Sequence, residues 1–367
     1  MPIDDATPQS PLDHQHPEPS SPHWPFYDQS PVIIWTLGLT TASLLAYGIF
    51  WLWLAVGLVH AIDDWIAAKT SSGVTASYAS VKLGGFPLRV SAHLKSPRIE
   101  SRLGQWQGDS LSVSFAPLSP DRVRLVFHGT DHVRVGDQSW DLSSAFIRTD
   151  LSFDPGKPPQ TLRSFQITAG DLAVTGANAL EASVEGFGLS VLPFAHHGTA
   201  DYKTPWASFV VTMAGVRIGA ASEGQGVAPM ALLEASGRVM GAMHLDAPTN
   251  ALTQWSKEGG VLELDRFVTD WPPVAVQGQG TLALDGKLQP LASFSTEFRG
   301  MGQFADGLER TGSIDRQAAA QLRTAFAGSA KTDGKGRTVL AVPLTVQDGK
   351  LWAGSVALAP LPEIRWP

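Results

Sequence analysis

The chain has 367 residues, 43% of them hydrophobic and 17% charged, with a formal net charge of −7; a soluble domain usually carries roughly a quarter of charged residues. Cysteine is absent, which excludes disulfides, thiolate metal sites and a cysteine nucleophile. The acidic excess sits in residues 1–30, where Asp4, Asp5, Asp13, Glu18 and Asp28 have no basic counterpart, and the near-neutral remainder offers no basic footprint for nucleic acid.

Residues 1–30 hold seven prolines among Ser, His, Asp and Gln. Such a segment cannot bury enough apolar surface to offset the cost of ordering, so a disordered tail is expected. His14, His16 and His23 have no framework there to fix metal geometry.

Residues 31–62 contain no Asp, Glu, Lys or Arg. A bilayer core takes about 20 predominantly apolar residues as a helix, and this run is longer. Trp35 near its start, and Tyr47, Trp51, Trp53 and Trp65 towards its end, fall where amphipathic rings sit at headgroup depth. A cleaved signal peptide has a charged leader and an apolar core of only about 7–15 residues, so an uncleaved single-span anchor in the lipid bilayer is expected. Residues 63–72 extend it, with Ile62, Trp65, Ile66 and Lys69 at helical spacing and Gly73 as a stop.

From Val74 the period changes to two. Strands are expected at 74–83, 88–94, 111–115, 123–127, 133–135, 146–153, 165–169, 172–175, 180–184, 189–192, 209–213 and 216–218. Gly, Pro, Asp and Asn clusters separate them, as in Asp154-Pro155-Gly156. Three helices interrupt: one capped by Thr249 and ended by Gly259-Gly260, one at 301–310, and one at 314–327 capped by Ser313 with an Ile314, Ala318, Leu322, Phe326 ridge. Further strands fall at 261–267, 274–284 and 291–298. A hairpin of 339–346 and 350–358 turns on Asp348-Gly349. The fold class is mainly β (α+β): one N-terminal transmembrane helix, then a large antiparallel body, curled or two-layered, with a few short helices. Its halves are 73–245 and 246–367, the second with a helical insert at 301–328.

Four stretches carry a likeness. They are Gly84-Gly85-Phe86-Pro87-Leu88-Arg89; Trp271-Pro-Pro-Val-Ala-Val-Gln-Gly-Gln-Gly-Thr-Leu-Ala-Leu-Asp285; Val342-Pro-Leu-Thr-Val-Gln-Asp-Gly-Lys-Leu-Trp352; and the ending Leu358-Ala-Pro-Leu-Pro-Glu-Ile-Arg-Trp366-Pro367. With an apolar span just before them, the chain from about residue 45 onward resembles the bacterial envelope family catalogued as domain of unknown function 2125. The resemblance implies an inner-membrane anchor, a periplasmic β-rich body and no assigned activity or catalytic residue. A looser architectural likeness joins it to AsmA-type envelope proteins, which are associated with lipid handling.

The motif residues read physically as scaffold. Gly85 relieves a bend, Pro87 removes a ladder hydrogen bond, and Arg89 is placed to pair with an acid. Trp271-Pro272-Pro273 separates two strands, with either X–Pro bond a candidate for cis. Gly278 and Gly280 lie before a strand-like run, whereas a dinucleotide fingerprint opens a helix. Asp348 and Gly349 make a tight turn.

No Gly-x-x-x-x-Gly-Lys-Ser/Thr, Gly-x-Ser-x-Gly or His-Glu-x-x-His occurs. His196-His197 falls in a loop, and Asp131-His132 could orient a triad but is read as a turn cap. No cofactor or metal is expected. Lys69 and Lys82 after the span lean towards a cytoplasmic body by the positive-inside rule; the resemblance implies a periplasmic one, and the periplasm is the expectation here. The expected function is non-enzymatic: an anchored body that binds or shields lipid or another extended apolar ligand. The alternatives are a scaffold that recruits an envelope protein by strand addition, and a hydrolase.

Overall fold

The computed structural model describes residues 31–70, 73–101, 104–155, 161–176, 180–194, 201–220, 230–243, 248–272, 274–300, 305–307, 309, 315–327, 330–332 and 338–364. The expected tail, His196-His197, the Ser313 cap and most of the 301–310 helix lie outside them.

The apolar run and its extension form one helix, α1 (Pro31–Thr70). At about 1.5 Å per residue it is about 60 Å long. The chain divides at its middle into two units, Met1–Phe50 and Trp51–Pro367. Within the second unit, one stripe of α1 is covered. Ala55 is fully buried, and Trp51, Leu58, Ile62, Ile66 and Lys69 are half-buried. The spacing is that of one helical face.

Strands follow: β1 (Thr75–Ser77), β2 (Ser80–Gly84), β3 (Val90–Lys95), β4 (Arg98–Ser101), β5 (Gly104–Ala116) and β6 (Ser119–Val135). Then come β7 (Gln138–Ser143), β8 (Phe146–Phe153), β9 (Leu162–Gly176), β10 (Leu180–Pro193), β11 (Pro205–Ala220) and β12 (Met230–Met240). After α2 (Pro248–Lys257) lie β13 (Val261–Trp271), β14 (Val274–Leu284) and β15 (Pro290–Arg299). After α3 (Arg316–Ala327) the chain ends in β16 (Ala330–Thr332), β17 (Thr338–Gln347), β18 (Lys350–Ala353) and β19 (Val356–Pro360).

All nineteen strands belong to one antiparallel sheet. Its backbone is a meander in which β2, β3, β5, β6, β8 and β9 are successive neighbours. From β9 each strand pairs with the next as far as β15, and β17, β18 and β19 complete the series. β4 and β1 extend the far half of β5, β7 bridges the far halves of β6 and β9, and β16 flanks β17.

Several boundaries differ from those expected. The runs 123–127 and 133–135 are one strand, β6, whose register shifts near Gly129 (φ 86°). The pair 165–169 and 172–175 is likewise one strand, kinked at Asp171 (φ 49°); β10 and β11 each unite two expected strands in the same way. Conversely, 74–83 is split into β1 and β2, and 350–358 is split at Gly354 (φ 58°). The α2 helix begins at Pro248, ahead of Thr249, and ends as expected through Gly259 (φ 80°). The side chains of the expected α3 ridge are not among those described.

Register sorts the side chains into two faces. Ala92, Val113, Leu125, Thr149, Ile167 and Leu189 form one cross-strand row, continued by Val211, Ala235, Phe267, Gly278, Thr296 and Val342. The adjacent row on the other face reads Ser91, Ser114, Arg124, Asp150, Gln166 and Ser190. The apolar face is fully packed only at its ends. Val90, Ala92 and Leu94 are buried at β3, while Phe298, Leu340, Val342, Ala353 and Leu358 are buried with Ala319 of α3 and with Ala305, which precedes that helix. In between, from β6 to β14, no described apolar side chain of the sheet larger than alanine is buried.

Candidate functional site

Two regions stand out, the junction of α1 with the sheet and the half-covered apolar face. At the junction, the turn between β2 and β3 is closed by Arg89 N–H donating to the Gly85 carbonyl at 2.9 Å. Gly85 has φ 95°, and a Cβ there would stand 2.7 Å from the Arg89 carbonyl oxygen, so the turn requires glycine. The Phe86–Pro87 bond is cis. Trp51 Nε1 donates to the Arg89 carbonyl at 2.7 Å. Its ring meets Phe86 edge-on with centroids 5.5 Å apart. Farther along α1, Tyr78 Oη donates to Asp63 at 2.7 Å. The helix is thus held at Trp51 and again farther along at Asp63.

The aromatics of α1 have different surroundings. Trp35, Trp53 and Trp65 are exposed, Tyr47 lies 6.5 Å from Phe50 ring to ring, and Trp51 is occupied by the turn just described.

On the apolar face, Phe165, Ile167, Phe187, Leu189, Phe209 and Val211 are each half-buried. From β6 to β14 the face is eight strands wide, about 34 Å at ~4.8 Å per strand. Gly278 and Gly280 lie in it, opposite Phe267 and Phe294 respectively. Those two rings meet edge-on at 5.6 Å. A Cβ at Gly280 would collide with the Ser293 carbonyl and the Phe294 ring, so these glycines leave room for the neighbouring rings. Trp271 ends β13 half in solvent, opposite Val274, and Pro272 begins the turn; Pro273 lies outside the described residues. Asp348 (φ 51°) and Gly349 (φ 65°) form the two-residue turn between β17 and β18, as a type I′ hairpin requires.

The opposite face is polar and laced by cross-strand pairs: Arg124–Asp150 at 2.6 Å, Arg217–Glu185 at 2.7 Å, and Arg238 between Glu263 and Asp265. Ser112 Oγ lies 2.8 Å from His93 Nδ1 and 3.0 Å from His128 Nε2. Sequence reasoning missed this trio, although strict Ser/apolar alternation in β5 puts Ser112 on the polar side. Among the described residues no carboxylate orients either histidine, so the trio is hydrogen-bond lacing rather than a charged triad. Asp131 and His132 also go separate ways. Asp131 is buried and accepts from Trp106 Nε1 at 3.1 Å. Burial raises its pKa above the ordinary carboxylate value and Asp109 adds to this, while the Trp106 hydrogen bond opposes it. His132 Nδ1 instead stands 2.6 Å from Asp141 on an exposed strand. Among the described residues no three His, Asp or Glu side chains are grouped to hold a metal.

By length and composition α1 is the one described helix able to cross a membrane, the property of an anchor or of a signal sequence. No curated protein and no solved structure matches the chain. Residues 51–362 match the family described as uncharacterized protein conserved in bacteria (DUF2125), a stretch that opens at Trp51, where α1 joins the sheet. With the whole sheet inside that match, the chain belongs to the DUF2125 family of uncharacterised bacterial proteins.

Proposed function

We propose that this protein is a non-catalytic, membrane-anchored envelope protein whose periplasmic sheet binds lipid acyl chains along its apolar face. The observation that carries the reading is the stretch from β6 to β14. There a continuous face about 34 Å wide leaves every described apolar side chain larger than alanine partly open. Burying such a face against hydrocarbon gains about 25 cal/mol per Å², and for a sheet fastened beside a bilayer the lipid acyl chains are the nearest hydrocarbon. Retention of α1 is supported by Trp51, whose bond to Arg89 would be lost if the helix were cleaved after its apolar run. Residues 31–50 supply the roughly 20 residues that a bilayer core takes; beyond Trp51 one stripe of the helix is covered by protein.

Strand addition has less support. The outer strands β2 and β19 are five residues each, one carrying Lys82 and the other ending in Pro360, both devices that blunt an edge. A hydrolase gains nothing from Asp131 and His132, which have separate partners.

The test uses the full chain extracted in mild detergent, with bound lipid counted by mass spectrometry. Leu189→Glu on the apolar face is expected to cut bound lipid several-fold, whereas Val210→Glu, one strand over on the polar face, leaves it unchanged. Wild-type protein without lipid, or equal loss in both variants, overturns the reading. Because the chain has no cysteine, a spin label at Val211→Cys gives a second measure: contact with lipid supports the reading, and water on all sides contradicts it.

A further inference from the structure

The polar face holds a cavity of about 610 Å³ at the strand ends nearest the α1 junction, within the size range of ligand pockets. Its charged wall is Arg89, Arg122, Arg124 and Arg163 against Asp121 and Asp150. Two of the four arginines are committed, Arg124 to Asp150 and Arg163 to Asp154, each at 2.6 Å. Neither Arg89 nor Arg122 is in an ion pair with any described residue. Hydroxyls of Ser114, Ser152 and Ser164 add neutral partners around the same space. A cavity with two uncommitted guanidinium groups and a ring of hydroxyls is suited to a doubly hydrogen-bonding oxyanion.

Its position narrows the ligand. Arg89 is the residue whose carbonyl Trp51 of the apolar helix holds. The two turns beside it carry the most exposed apolar side chains of the sheet, Leu88 at 79%, Leu118 at 86% and Phe86 at 59%. These lie on neighbouring turns, because the start of β3 pairs with the end of β5 and Ala116 pairs with Ser119. Exposed apolar tips adjoining an anchor helix become buried when they dip into a bilayer surface. The cavity then stands at headgroup depth.

We propose that this cavity is a subsite for the phosphate of an anionic bilayer lipid, held by Arg89 and Arg122 while the acyl chains stay in the membrane. The inference rests on the anchoring half of the reading above and is separate from the acyl-binding face, since Arg124 and Ile167 lie on opposite sides of the sheet. The resident lipid would pin the body to the surface through the Leu88 and Leu118 turns.

The test places the full chain in nanodiscs of equimolar phosphatidylcholine and phosphatidylglycerol, extracts it gently, and measures the ratio of lipids retained. Wild type is expected to enrich phosphatidylglycerol, and the double variant Arg89→Gln/Arg122→Gln to lose about tenfold of that enrichment, the factor for one charge-assisted hydrogen bond. Arg217→Gln, on the same face but remote, should leave the ratio unchanged, and thermal unfolding of the double variant confirms that it is folded. Inorganic phosphate at millimolar concentration should not displace the lipid. Absence of enrichment, enrichment that survives the double variant, or displacement by inorganic phosphate each overturns the assignment, the last by making this a free-anion site. Leu189→Glu keeps the two readings apart: it should lower total bound lipid without changing the phosphatidylglycerol preference.

Discussion

Gly280 and Asp131 show how single residues set the terms for this sheet. At Gly280 the neighbouring strand and the Phe294 ring occupy the space of a Cβ. Gly280→Ala is therefore expected to lower stability by about 1–3 kcal/mol, as overpacking does, read as a fall in the denaturant midpoint. Asp131 has a folded pKa raised chiefly by burial. Its contribution to stability is then fully present below the unfolded carboxylate pKa and is lost as pH rises through the folded value. Asp131→Asn, which can still accept from Trp106, should be more stable than wild type at pH 7, and the two melting temperatures should converge in acid. A pair that stays equally far apart at all pH values contradicts this. Neither role was legible in the sequence. Gly278 and Gly280 stood out only as a glycine pair beside a strand-like run, because the ring that covers Gly280 comes from the next strand.

At the scale of elements, the junction of α1 with the turn at Arg89 has the clearest consequence. Trp51→Phe keeps the contact with Phe86 and removes the hydrogen bond to the Arg89 carbonyl, a loss of about 0.5–1.5 kcal/mol. Faster hydrogen exchange in the turn 84–89, with exchange in β14 unchanged, is the expected result; unchanged exchange in both would contradict a coupled junction. Elements in which alternation dominates could be read directly, even with an apolar pair at the start of one: 146–153 and 274–284 are the bounds of β8 and β14. Kinked strands could not, because Gly129, Asp171 and Gly215 look like turn residues when no partner strand is in view. β12 was missed altogether. Its Leu232 and Leu233 are adjacent apolar residues, and Leu232 lies on the polar face with Glu234, so the alternation that marks a strand fails there.

For the whole molecule, the sheet is a meander whose neighbours in space are mostly neighbours in sequence, so it can widen without a closed core. That leaves a broad apolar face packed only at its two ends, at β3 and under α3. An anchored protein of this design should stay with the membrane after an alkaline carbonate wash, and the intact mass should retain residues 51–62. A released form that begins near Ile62 would instead identify α1 as a signal sequence and remove the basis for both lipid sites.

The sequence by itself determined the long apolar helix, the antiparallel β class and the Asp348-Gly349 hairpin, because each follows from composition or a short-range period that neighbouring residues impose. The tertiary structure alone decided that Trp51 holds Arg89, that rows from a dozen strands join into one apolar face, and that Arg89 and Arg122 share a cavity with Asp150. The face and the cavity depend on the register of each strand against its neighbour, where a one-residue slip would turn the side chains to the other side; the Trp51 bond depends on where the helix meets the β2–β3 turn.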